Sequence, residues 1–463
     1  MRPSRFLVVM FASLAVLLLL VGGSPAQTVS VVHSFNGTNG EFPQYVVLVQ
    51  GRDGTLYGTA DLGGAKGIGT IFRQQTTGNG NVVLHNFGGL DGAFPSGSLT
   101  LASDGNYYGA TGGGNSANKG VLFKVTSAGV LTVLHNFTGG TDGAYPVAPP
   151  IEAIDGSFYG ATSGGGLQDP TVYKLTRSGI FSTIFTLSPT VGTFLFAPLL
   201  QTMDGNLFAV SGGGGANGCG SIVKLSTAGV LLNEHSFNCK SEGTVPNDLV
   251  QAQDGTIYGT TQGGGTYGGG VVYRLDTKGS FTVLYNFGGT LTDGLNPNGG
   301  LKLGTDGNFY SSTQNGGTTG GGTLFKITPA GAYTQLYSFP QVNGSTEAPL
   351  AAPVQQTGGS FYGVTTVGGT NGRGSIYTLD MGLGPFITFV RATGGVGQTV
   401  QILGTGLTGT TGVTFNSIFA TSFTVQSDTY MTAVVPSGAT TGPVVVTTPT
   451  GPLTSNVSFR ILQ

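Results

Sequence analysis

The stretch "VVHSFNG", residues 31–37, follows closely on an apolar leader, and near copies of it recur along the chain. They read "VLHNFGG" at 83–89, "VLHNFTG" at 133–139, "NEHSFNC" at 233–239, "VLYNFGG" at 283–289 and "QLYSFPQ" at 335–341. Each later copy closes a unit of sequence, whereas the copy at 31–37 opens the series. How that first copy is used decides the fold.

A turn marks the units. Asp-Gly stands at Asp53, Asp104, Asp155, Asp204, Asp254 and Asp306, and Gly358–Gly359 takes the seventh place, at spacings of 51, 51, 49, 50, 52 and 52 residues. An aromatic follows at constant offset: Tyr57, Tyr108, Tyr159, Phe208, Tyr258, Tyr310 and Tyr362. A period this regular means a solenoid or a propeller. Four short strands fit each unit; in the fourth they are "PLLQTM", "NLFAVS", "SIVKLS" and "LLNEHSF". Asp-Gly suits the tight hairpin between the first two, because that turn needs residues that accept positive φ. Four strands in about 50 residues is the size of a propeller blade. The seventh unit has "SFYGVTT" and "GSIYTLD" but then runs into "MGLGPF" with no fourth strand. The segment "VSVVHSF" at 29–35 supplies it, which closes the ring and leaves no bare sheet edge. The reading is all-β: a seven-bladed β-propeller over 27–383, closed by an N-terminal strand.

Residues 1–26 read as a signal peptide, with Arg2 and Arg5 before an apolar run from Phe6 to Val21 and "SPA" at 24–26 for cleavage. An exported protein, extracellular or at the cell surface, is expected. The remainder has no second apolar run of membrane length, so no transmembrane span is expected in the mature chain. It carries 16 basic and 20 acidic residues, a net charge of 16 − 20 = −4, with no basic cluster. Nucleic acid is therefore not an expected partner, since the counterion-release force is missing. Gly is 85 of 463 residues, yet regularly placed Val, Leu, Ile, Phe and Tyr argue against disorder.

The repeated pattern is carried by "DGTLYGTADLGGAKGIGTIF" (53–72), "DGNYYGATGGG" (104–114) and "DGTIYGTTQGGGTYGGGVVYRLDTKGSFTVLYNFGG" (254–289). It resembles the secreted bacterial choice-of-anchor tandem repeat GloVer-containing proteins, which implies export or surface attachment and no assigned reaction. From 384 the period stops. "GGVGQTVQILGTGL", "VTFN", "SDTYMTAVVP" and "GPVVVTTPTG" resemble an IPT/TIG domain, which implies an immunoglobulin-like sandwich over 384–463 used as a spacer or presentation module. Alternating strands with Gly and Pro turns independently suggest a small sandwich.

The candidate chemistry is sparse. His33, His85, His135 and His235 share one repeat position, which Phe185, Tyr285 and Tyr337 fill elsewhere. One per blade, they cannot converge on a metal, and the position reads as packing. The Gly-rich loops lead into strands rather than helices and lack Lys-Ser/Thr, so they are not phosphate cradles. No cofactor or metal is expected. Three residues before each turn stand Gln50, Leu101, Glu152, Gln201, Gln251, Leu303 and Gln355. Glu152 is the lone carboxylate there, without the second that glycoside hydrolysis usually requires. Folding 219–239 about its Ala-Gly turn sets Cys219 opposite Cys239, and a disulfide is expected.

In a four-stranded blade, the loops from second to third strand emerge on the same face as the connections between blades. Those are the two long, variable sets here, while the other face carries only tight turns. Variable loops on a rigid scaffold are where recognition sits. The candidate ligand-binding residues are therefore Phe94, Tyr145, Phe194, Phe196 and Tyr267 as flat apolar surfaces, with Asp91, Asp142 and Asp293 as acceptors. The functional expectation is a non-catalytic secreted or surface module that binds extracellular polysaccharide or a surface protein. A purely structural surface protein is the alternative, and a carbohydrate-active enzyme stands behind both.

Overall fold

The computed structural model describes residues 27–77, 80–164, 169–342 and 345–462; the expected signal peptide at 1–26 lies outside the described residues. Every regular element among them is a strand. Successive repeats form successive antiparallel sheets to one plan. The first sheet runs Val49–Gln50, Leu56–Ala60, Thr70–Gln74 and Asn81–Asn86, each strand paired with the next. The second to fifth repeats do the same, and the sixth adds three two-residue strands around the same four. The arrangement is propeller-like.

The constant aromatic has a local cause. The Asp53 carboxylate accepts the amide of Thr55 at 3.1 Å and the hydroxyl of Tyr57 at 2.9 Å, and Gly54 takes φ +76° to complete the turn. Tyr108–Asp104, Tyr159–Asp155 and Tyr310–Asp306 repeat the hydroxyl bond at 2.9 Å. The same rings reach the next sheet: Tyr57 lies 4.1 Å from Tyr107, Tyr108 3.9 Å from Phe158 and Tyr310 4.1 Å from Phe361, centroid to centroid. One side chain thus fixes a hairpin and welds two sheets, with stacked or tilted ring contacts adding to apolar burial.

The last sheet is completed from the other end of the chain. Thr28–Ser34 pairs antiparallel with Ser375–Asp380, from Thr28↔Asp380 to Ser34↔Ser375, with a bulge between Val31 and His33. The outer strands of the first, second and third sheets carry the bulge at the same place. Phe35 is buried and its amide bonds Gly374 at 3.0 Å, as Phe87 bonds Gly69 and Phe137 bonds Gly120. The opening segment therefore does in the seventh repeat what its copies do in their own.

Beyond the repeats, two four-stranded sheets enclose a core that includes Ile402, Val413, Phe415, Met431, Val444 and Val446. This segment has its own core but is seated on the hairpin turns of the repeats. Arg52 donates to Gln401 at 2.8 Å, Gln401 to the Ser103 carbonyl at 2.7 Å, and Thr429 to the Arg52 carbonyl at 2.7 Å. Thr405 and Thr357 share a hydrogen bond of 2.8 Å, and Leu403 packs with Tyr57 and Tyr107.

Candidate binding face and axial cavity

The position three residues before each turn joins neighbouring repeats. Gln50, Glu152, Gln201, Gln251 and Gln355 each accept a backbone N–H from the turn of the preceding repeat: Thr357, Ser103, Ile154, Met203 and Thr305, at 2.7–2.9 Å. The Gln50–Thr357 bond links the first repeat to the seventh. Leu101 and Leu303 cannot make this bond. Glu152 also accepts the Ser103 hydroxyl at 2.6 Å and an ion pair from Arg177, and only 5% of its side chain is exposed. Its oxygens are engaged in the same inter-repeat bond that glutamine makes elsewhere.

On the other face the two loop sets are tied together. The Gly64 amide bonds the Gly37 carbonyl at 2.7 Å, Asn115 bonds Gly89 at 2.8 Å, and Gly317 bonds Asp293 at 2.8 Å. The residue before a recurring turn proline takes a left-handed backbone at Phe42, Phe94, Tyr145, Val245, Asn296 and Ala348, with φ between 47° and 59°. That conformation is strained for residues with a Cβ. It aims the amides of Phe94 and Tyr145 at the carbonyls of Ile68 and Lys119 in the previous repeat, each at 2.9 Å. The prolines then press on glycines of that previous repeat: a Cβ on Gly120, at φ +92°, would collide with Pro146 and the Thr111 carbonyl.

The histidines belong to latches in these connections. His85 bonds Asp91 at 2.8 Å, His135 bonds Asp142 at 3.1 Å and His235 bonds Glu242 at 3.2 Å; Tyr285 replaces the imidazole and bonds Asp293 at 3.1 Å. His33 meets the Asn39 amide at 2.8 Å. The carboxylates also hold backbone, as Asp91 does for Gly88 at 2.6 Å and Asp293 for Gly288 at 2.9 Å. Burial keeps His33 and His135 below the ordinary imidazole range, although Asp142 pulls the other way at His135. Among the described residues no three His, Cys, Asp or Glu side chains gather in a group fit for a metal.

The predicted aromatics stand in different surroundings. Phe194 and Tyr267 stand out in solvent, 58% and 60% exposed, on different repeats. Tyr145 is half-buried, with Lys119 donating to its hydroxyl at 2.9 Å and the ammonium 4.8 Å from its ring centroid. Phe94 is partly exposed beside its loop. Phe196 lies elsewhere, in the wall of a cavity of about 230 Å³ lined by residues from all seven repeats. That wall also holds Tyr45, Asp248 and Lys302, three residues that sequence reasoning passed over. The Lys302 ammonium bonds Asp248 at 3.1 Å.

The disulfide joins Cys219 and Cys239, whose Cα atoms are 5.5 Å apart. It ties a Gly-rich loop to the connection that follows the same repeat.

A sequence profile of the Gloeobacter/Verrucomicrobia repeat matches residues 21–168, 140–290 and 197–422. The chain belongs to this repeat family. No curated protein matches the sequence. Among solved structures, the repeat protein is similar to the extracellular domains of two hybrid two-component systems from B. thetaiotaomicron. One is 12% identical, with 95% of this chain and 60% of that chain covered and a TM-score of 0.52. The other is 11% identical, with 90% of this chain and 52% of that chain covered and a TM-score of 0.50. This chain thus spans little more than half the length of those relatives, and the likeness is one of fold. TolB from Acinetobacter baumannii is similar over 57% of this chain and 58% of its own, at 15% identity and a TM-score of 0.37.

Proposed function

We propose that the Gloeobacter/Verrucomicrobia repeats here close into a seven-bladed propeller, followed by an immunoglobulin-like IPT/TIG module, in a protein exported by its signal peptide. In this reading it is a non-catalytic surface module that binds extracellular polysaccharide or a surface protein through its loop-rich face. One observation carries the choice of face. The C-terminal segment occupies the hairpin turns at Arg52, Ser103 and Thr357, which leaves the longer, variable loops as the uncovered end. The inter-repeat bonding of Glu152 supports a structural rather than catalytic role for that carboxylate.

The test is depletion of the mature chain, residues 27–463, from solution by insoluble polysaccharides and by intact bacterial cells, with release of soluble sugar followed in parallel. Binding without turnover is expected. Phe194→Ala and Tyr267→Ala probe the loop-rich face, and Ser127→Glu and Lys278→Glu the turns opposite. Asp142 is unsuited to this purpose, because its carboxylate holds His135 and Thr138 in place. Sugar release by the mature chain would contradict the non-catalytic reading.

A further inference from the structure

We infer that the axial cavity binds a single neutral sugar residue of a glycan, an inference that rests on the binding-module reading above. Residues in and just before the first strand of each repeat line the cavity, and the regular turn spacing lets the repeats be compared place by place. Where repeat five has Asp248, the others have Val47, Ser98, Pro149, Pro198, Gly300 and Ala352. Where repeat six has Lys302, the others have Val49, Thr100, Ile151, Leu200, Val250 and Val354. The scaffold therefore accepts uncharged residues at both places in every other repeat. Ion pairs that are partly exposed add little stability, so packing of the fold does not account for this one. Breaks in a local rule of this kind mark functional places.

The pair's chemistry specifies the ligand. Asp248 and Lys302 bond each other at 3.1 Å, with side chains 21% and 31% exposed, so the cavity holds both charges and no net charge. A ligand anion would meet the carboxylate and a ligand cation the ammonium, so the pair disfavours a charged ligand of either sign. The ammonium keeps N–H donors beyond its bond to Asp248, and the carboxylate, whose other oxygen accepts the Leu249 amide at 2.9 Å, keeps further acceptor lone pairs. A hydroxyl is donor and acceptor at once, so adjacent hydroxyls satisfy both groups without separating them. The neighbouring amides are already engaged: Asn247 donates to the Pro297 carbonyl at 2.6 Å and Asn298 to Gln314 at 2.5 Å.

The remaining wall sets the apolar surfaces of Tyr45, Val147, Pro149 and Phe196 beside the small hydroxyls of Ser96, Ser98 and Thr100. Tyr45 is 47% exposed and held at φ +54°, a left-handed strain that turns up at ligand clamps. A pyranose matches this division, with hydroxyls on its edge and C–H groups on its face. The cavity, at about 230 Å³, is below the roughly 300–1,000 Å³ of pockets for drug-sized ligands. One ring fits that size better than a bound oligosaccharide, with the rest of the glycan leaving over the loops.

The experiment titrates the mature chain with neutral oligosaccharides of glucose, galactose, mannose and N-acetylglucosamine, and with polygalacturonate and chitosan as charged comparators. The double variant Asp248→Ala/Lys302→Val installs the residues that repeat seven carries at the same two places, so it is expected to fold with an unchanged Tm. It should weaken binding of a neutral sugar by at least about tenfold, the size expected from losing charge-assisted hydrogen bonds. Tyr45→Ala should weaken it too, while Phe194→Ala/Tyr267→Ala should not. Neutral-sugar binding that survives the double variant, or binding confined to the charged polymers, would overturn the inference. If the loss instead follows Phe194 and Tyr267, the inference falls while the binding module stands. If no glycan binds at all, the inference falls together with the polysaccharide reading.

Discussion

Glu152 and Ser103, one repeat apart, are joined twice: the carboxylate accepts the Ser103 amide at 2.7 Å and its hydroxyl at 2.6 Å. Glutamine makes the amide bond at the same place in four other repeats. Glu152→Gln should therefore keep the inter-repeat bond and change stability by less than about 1 kcal/mol. Glu152→Ala leaves the half-buried Ser103 amide unpaired and should cost about 1–3 kcal/mol. Urea unfolding of both variants distinguishes the two cases.

The bond between Cys219 and Cys239 closes a loop with a sequence separation of 20. On the chain-entropy account, opening a loop of that size should cost about 3 kcal/mol. Thermal unfolding with and without reductant should show the drop. Alkylation of the unfolded, unreduced chain should label neither cysteine.

Gly120 sits at φ +92°, with Pro146 of the next repeat 2.8 Å from where a Cβ would stand. Gly120→Ala adds both backbone strain and a collision with backbone, and should cost at least about 2 kcal/mol. Gly179→Ala is the comparison: its φ is +88°, but no atom lies within 4 Å of an added Cβ. It should cost less, which a paired denaturation measurement checks.

Stability should fall with acid in two stages. Burial lowers His33 and His135. The unfolded chain then binds protons first, and stability drops as the pH descends below about 6.5. At Asp104, Asp142, Asp155 and Asp204 burial opposes ionisation, but hydrogen bonds and nearby cations outweigh it and hold all four below the ordinary carboxylate range. Their contribution is complete above about pH 4 and is lost as pH falls through their folded values. Asp61 and Glu347, raised by burial, act in the opposite sense. A Tm profile from pH 8 to pH 3 should decline in both windows, and Asp142→Asn should reduce the drop in the lower one.

The repeat plan was legible because each strand and turn recurs, so errors of register in one unit are corrected by the next. The pairing of 28–34 with 375–380 followed from counting strands. The latches were also within reach: His85 and Asp91, His135 and Asp142, and His235 and Glu242 recur six or seven residues apart. Reading the histidines as packing missed their partners, because turn carboxylates were considered apart from the strand that precedes them. Asp248 and Lys302 are visible only when the repeats are aligned at the first strand, which spans just two residues in most units. The seating of the C-terminal segment has no sequence signal, since Arg52 and Ser103 look like any exposed turn residues until Gln401 is placed beside them.

A single axial cavity exists only if the seven repeats form one closed ring within one chain. Ser30 faces Thr378 directly in the strand pair that would close it, and paired residues on antiparallel strands lie about 4.5–5.5 Å apart at Cα, within disulfide reach. The decisive measurement is a non-reducing peptide map of exported Ser30→Cys/Thr378→Cys protein, run as a monomer. The account predicts a bond between positions 30 and 378 of the same chain, with the native Cys219–Cys239 bond intact. Two free thiols, or a bond found only between chains, would contradict it.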